Sequence, residues 1–154
     1  MTIDARLNTV DMATPYRAIS GGGPETISVF EELENHYSNN PYFLYNYMSE
    51  SFYSGNLDKA AELSKRLHHI MSSYNLELIS GDIYYHQHKY EEAGVYYENA
   101  LYMCPCRFAP LEGLYKVFEA TGNQLEKQRI ADIIAAKKVK VMSSDIVRIK
   151  EKCK

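Results

Sequence analysis

Between residues 24 and 152 the apolar positions recur at helical spacing, with no stretch of strand-like alternation. Ile27, Phe30, Leu33 and Tyr37 fall on one face of a predicted helix over 24–37, PETISVFEELENHY, and Pro24 suits its first position. From residue 41 onward a pattern returns every 33 to 34 residues: a helix, a polar turn and a second helix. The units run over 41–73, 74–107 and 108–141. Gly55-Asn56 and Gly122-Asn123 supply the turns of the first and third units, and Ala60 aligns with Ala93 of the second. Leu111, Leu114, Phe118, Ala131 and Ile134 keep the apolar spacing in the third unit. Lys127 stands there where a small residue is expected, which predicts a looser crossing. Ser144 is expected to cap a short terminal helix over 144–152, packed through Ile146 and Ile149, with a charged outer face that solubilises the end. Residues 1–20 are weakly periodic, contain Pro15 and run into Gly21-Gly22-Gly23, which predicts a partial helix and a flexible joint.

The middle unit carries the most demanding set: Gly81, Tyr84, Tyr90, Ala93, Tyr97, Ala100 and Pro105. Gly81 and Ala93 are small where two antiparallel helices cross closely, since axes approach to about 8 Å only over small side chains. Tyr84 and Tyr97 fill the gaps beside them, Ala100 leaves room for the next helix, and Pro105 stops the second helix. This set resembles the tetratricopeptide repeat (TPR). The resemblance implies an all-α, right-handed solenoid of helical hairpins, with about three units, a preceding helix and a short capping helix. A repeat domain over 24–154 would then follow a partial or flexible segment over 1–23. Solenoids tolerate weak outer units, because each unit need satisfy only its neighbours.

Composition narrows the function. At 154 residues the chain is long enough for a core that buries roughly 70% of the unfolded surface. No apolar run approaches the roughly 18 residues of a membrane span, and residues 1–6 lack the pattern of a signal peptide. The cytoplasm is therefore the default compartment expected. Net charge is −3, made of +5 over 137–154 and −8 over the rest. A short basic stretch of this kind is expected to be a solvated helix face and not a nucleic-acid site. Cys104, Cys106 and Cys153 have neither disulfide-framework nor zinc spacing, so idle or buried thiols are expected. His68 and His69 sit at the far end of a helical pair from His86 and His88, on the order of 15 Å apart, too far to share a metal. No nucleophile–base pair and no phosphate loop is present, and no cofactor is expected. The sharpest enzyme alternative, a hydrolase using Asp82 and Glu112, lacks any apolar setting legible in the sequence.

Two further segments point to a narrower family. YMCPCRFAPLEGLYKVFEATGN, residues 102–123, and KKVKVMSSDIVRIK, residues 137–150, are similar to the C-terminal repeat region of bacterial O-antigen ligase-like membrane proteins. NPYFLYNY, residues 40–47, suits the segment that opens the preceding unit. The resemblance covers about residues 24–152, with Cys106 where Asn is usual and Met142 where Pro is usual. It lacks the family's membrane domain and, with it, the residues that handle lipid-linked glycan. It therefore implies a periplasmic accessory module, in contact with glycan or with a membrane glycan-assembly enzyme, if the chain is the tail of a longer protein.

In a TPR solenoid the first helix of each unit lines the concave face. The phase assigns to that face Tyr42, Tyr45, Ser49, Phe52 and Tyr53, then Asn75, Leu78, Asp82, Tyr85 and His86, then Glu112, Lys116 and Glu119. Tyrosine offers large, rigid area with a polar tip, so a non-catalytic module that binds a peptide or protein partner is expected. Tyr45 and Ser49 stand where chaperone-binding relatives carry Lys and Asn, so capture of an acidic chain terminus is not expected.

Overall fold

The computed structural model describes residues 24–153. The expectations for residues 1–23 lie outside the described residues. Among these there are eight α-helices and no strand. They are α1 (Pro24–Leu33), α2 (Pro41–Tyr53), α3 (Leu57–His68), α4 (Tyr74–His86), α5 (Tyr90–Met103), α6 (Ala109–Ala120), α7 (Gln124–Ala136) and α8 (Ser144–Lys152). No described helix is long and apolar enough to cross a membrane. The chain divides into two compact units between Ser72 and Ser73.

The first unit packs α1 and α3 against α2. Phe30 and Leu33 of α1 meet Phe43, Leu44, Tyr47 and Met48 of α2, all buried. The Phe30 ring stacks on Tyr47 at 5.1 Å and tilts against Phe43 at 5.5 Å. Ala60, Leu63 and Leu67 of α3 complete this core. Glu34, just past α1, accepts from Lys59 at 3.0 Å and from Arg66, which also donates to the Ser38 carbonyl at 2.9 Å. Burial raises the Glu34 pKa, but these two cations outweigh it and hold the carboxyl below its ordinary range. The helix predicted over 24–37 is shorter than expected. It ends at Leu33, where the His36 and Tyr37 amides both turn back to the Leu33 carbonyl at 3.0 and 3.1 Å. Tyr37 reaches Phe43 from the turn, with ring centroids 5.6 Å apart.

In the second unit each helix packs on the next, and α4 also touches α6. Leu76, Ile83 and Tyr84 of α4, Ala93, Tyr97 and Ala100 of α5, Leu111, Leu114 and Val117 of α6, and Ile130, Ala131 and Ile134 of α7 are buried. Tyr97 is the keystone. A Cβ added at Gly81 would lie 2.6 Å from its ring, and one added at Gly113 would lie 2.5 Å from it. Two glycines from α4 and α6 therefore clasp one ring from α5. Lys127, at the third crossing, lays its ammonium 4.9 Å over the Tyr115 ring and pairs with Glu119 at 2.7 Å.

The three turns that follow α2, α4 and α6 share a geometry. Gly55, His88 and Gly122 have φ of 82°, 60° and 72°. The next residue in each case donates its amide to the carbonyl five back: Asn56 to Ser51 at 2.8 Å, Lys89 to Tyr84 at 2.9 Å, Asn123 to Phe118 at 2.9 Å. Asn56 and Asn123 then cap the following helix through their side chains, whereas Lys89 cannot. The cap of α8 is Ser143, one residue before the expected Ser144, which is itself the first helical residue. Ser143 has extended backbone, and its hydroxyl accepts from the Ile146 amide at 3.3 Å.

Candidate functional site

In the first unit, Asn40 starts α2 by accepting the Tyr42 and Phe43 amides at 3.0 and 3.1 Å, and Pro41 sits at the first position. With that register Phe43, Leu44, Tyr47 and Met48 enter the core. The expected binding residues fall on the rest of the circumference. Tyr42 is 81% exposed and Tyr53 63% exposed, while Tyr45, Ser49 and Phe52 are half-buried. Phe52 and Tyr53 are in ring contact at 5.2 Å. Burial, and then the neighbouring Tyr53, push the Tyr45 hydroxyl above its ordinary pKa. Phe52 and Tyr53 therefore form an aromatic pair, with Tyr45 near enough to feel Tyr53 and Tyr42 exposed near the start of the same helix.

In the second unit, Asn75 and His86 are exposed, and Leu78, Asp82 and Tyr85 are half-buried on α4. Tyr85 packs its ring against Tyr90 at 5.5 Å and His86 at 5.9 Å. Asp82 accepts a 2.6 Å bond from the Tyr97 hydroxyl. Burial raises the Asp82 pKa and outweighs that bond and the charges of Lys116 and His86. This is the apolar setting that the sequence did not reveal. It traces to Tyr97, whose position was legible but whose hydroxyl partner was not.

Glu112 departs from the expectation of an open face. It is only 6% exposed. Arg148 of α8 bonds both its carboxylate oxygens, at 2.8 and 3.1 Å, Lys152 approaches to 3.4 Å, and Lys116 lies 3.7 Å away. Burial pushes this carboxyl up, but Arg148, Lys116 and Lys152 outweigh it and hold it below its ordinary range. The physical reason is the placement of α8. Its Ile149 and Cys153 are buried, and the helix brings its cations to α6. The charged face of α8, expected to solubilise the end, is also an ion-pair partner of Glu112. Lys116 is half-buried, and Glu119 is exposed and paired with Lys127.

Two shallow depressions were not anticipated. One lies on α7 among Leu125, Gln128, Arg129, Asp132 and Ile133, the other at the end of α5 among Glu98, Leu101, Tyr102 and Pro105. Leu125 and Tyr102 are 77% and 90% exposed, and an apolar residue on the outer face of a helix was the available signal. Cys104, Cys106 and Cys153 are free thiols, and no cluster of three or more ligating side chains suited to a metal occurs among the described residues. No protein-family model matches the chain, and no curated protein matches it.

Proposed function

We propose that the chain is a non-catalytic binding module. In this reading α2–α3, α4–α5 and α6–α7 are three TPR-like repeats that hold a peptide or protein partner through tyrosine-bearing first-helix faces. Support for the repeats comes from the turns, since left-handed backbone recurs at residues 55, 88 and 122 with the same return bond after each. Support for binding comes chiefly from one observation. Tyr42 and Tyr53 present largely exposed rings on the same helix that buries Phe43, Leu44, Tyr47 and Met48. Rigid aromatic area of this kind supplies hot spots that cost about 2 kcal/mol or more on truncation, roughly thirtyfold in affinity. The Asp82–Tyr97 bond reads as an anchor for the clasped ring and not as an acid–base pair.

The test is capture of a partner from the native source, followed by affinity measurement. Tyr42→Ala with Tyr53→Ala should weaken binding by about thirtyfold while helicity is unchanged. Neutralising Lys138 and Lys140, both exposed, should do little at physiological salt. The reverse pattern would show that the basic segment, and not the aromatic face, is the working surface.

The same exposed rings favour one second reading. Tyrosine faces can stack on sugars, which fits the resemblance to O-antigen ligase-like proteins and a role beside a glycan or a glycan-assembly enzyme. Titration with oligosaccharide distinguishes the two: tyrosine resonances of α2 that shift with sugar and not with peptide would favour it.

A further inference from the structure

We propose that the seat of α8, formed by Glu112 of α6 and the end of α7, is a recognition surface for an amphipathic helix that presents an arginine to Glu112, and that α8 fills it as an internal ligand. The inference deepens the binding reading above, because Glu112 belongs to the first-helix face of α6. It uses none of the tyrosines of α2, so the two can fail separately.

The seat is specific. A planar guanidinium forks onto both oxygens of Glu112, at 2.8 and 3.1 Å, a geometry that lysine cannot reproduce. Beside it Ile149 and Cys153 are 4% and 2% exposed. One side chain further along, Lys150 donates to the Ala135 and Lys137 carbonyls at 3.1 and 2.9 Å, closing the end of α7. The occupant that fits thus carries an arginine, an apolar residue next to it and a lysine four residues after the arginine, as Arg148, Ile149 and Lys152 do.

The occupant is also poised to leave. At nine residues α8 is shorter than the roughly 12–15 that an isolated helix needs, so its order comes from the seat. The linker before it is loosely engaged, with Val141 80% and Met142 55% exposed. Release of α8 would uncover Glu112 and the hollow of Ile149 and leave the packing of α4–α7 in place. A partner helix with the same three side chains competes for that hollow against the high local concentration of a tethered segment.

The buried Cys153 thiol reports the competition. Its burial raises its pKa and keeps it inert while α8 is docked. In the full chain with Cys104→Ser and Cys106→Ser, a thiol-reactive dye is followed while a peptide of residues 143–154 carrying Cys153→Ser is added. The peptide should speed modification saturably, by about tenfold or more, near the millimolar effective concentration of a short tether. The same peptide with Arg148→Ala should act at least about tenfold more weakly. Arg148→Ala in the chain itself should speed modification without peptide, with the melt of the remaining helices retained. The proposal is overturned by a peptide that changes Cys153 reactivity in neither chain at about 1 mM. It is overturned equally by an Arg148→Ala peptide that works as well as its parent, or by a Cys153 that reacts freely in the Cys104→Ser, Cys106→Ser chain before any peptide is added.

Discussion

Residue 88 shows how a single backbone angle sorts the three turns. Gly55 and Gly122 adopt positive φ without steric cost, but His88 adopts φ 60° with a side chain. That conformation costs a residue with a Cβ about 1–2 kcal/mol. Part of it is offset by the His88 Nδ1 contact with the Tyr90 hydroxyl at 2.9 Å. His88→Gly is therefore expected to stabilise the fold by about 1 kcal/mol, raising the melting midpoint by roughly 2–4 °C. A lower midpoint would mean that the His88–Tyr90 contact outweighs the strain. The Tyr97 clasp makes the opposite demand. Gly113→Ala drives a methyl to 2.5 Å from a ring that cannot swing aside, because its hydroxyl is held by Asp82 at 2.6 Å. A loss of about 1–3 kcal/mol is expected in a denaturant melt. Gly94→Ala is the control: its nearest neighbour is Val117 at 3.9 Å, so the change should be neutral or stabilising.

At the scale of elements, acid should act on α8 and on the α4–α5 contact with opposite sign. Glu112 is held below its ordinary pKa, so the unfolded state binds more protons there. Its contribution is complete above the unfolded carboxylate value of about 4.3 and is lost as pH falls through the lower folded value. Hydrogen exchange of α8 should therefore rise in acid below the ordinary carboxylate range, and Glu112→Gln should abolish that dependence. Asp82 is held above its ordinary pKa, so the folded state binds the extra proton and stability declines as pH rises through the window above about 3.9. Asp82→Asn keeps an acceptor for Tyr97 and should flatten this slope in melts between about pH 4 and neutrality. If the slope persists in Asp82→Asn, another carboxylate is responsible.

At the scale of the molecule, the chain comprises two compact units, divided at Ser72 and Ser73. The second has its own core from Leu76 to Cys153, with Tyr97 at its centre. Residues 73–154 expressed alone are expected to be helical and to melt cooperatively, since compact units with their own core can fold alone. A broad melt without a transition would show that this core is insufficient by itself.

Helix positions were largely legible because they depend on local chemistry. The apolar spacing, Pro41 after Asn40, the Gly-Asn turns and Pro105 mark starts and stops within the sequence itself. The all-α character follows from the same pattern. The clasp on Tyr97 was half legible: Gly81 and Tyr97 stood out, but Gly113 acquires meaning only when α6 brings it to the ring. The turn that ends α1 at Leu33 was not legible, and neither were the bonds that bring Lys59 and Arg66 to Glu34 from 25 and 32 residues away. Likewise, no spacing rule couples Arg148 to Glu112 across 36 residues. Periodicity encodes which face of a helix is apolar. Which distant charge arrives at that face, and hence whether Glu112 is open or covered, was decided only by tertiary packing.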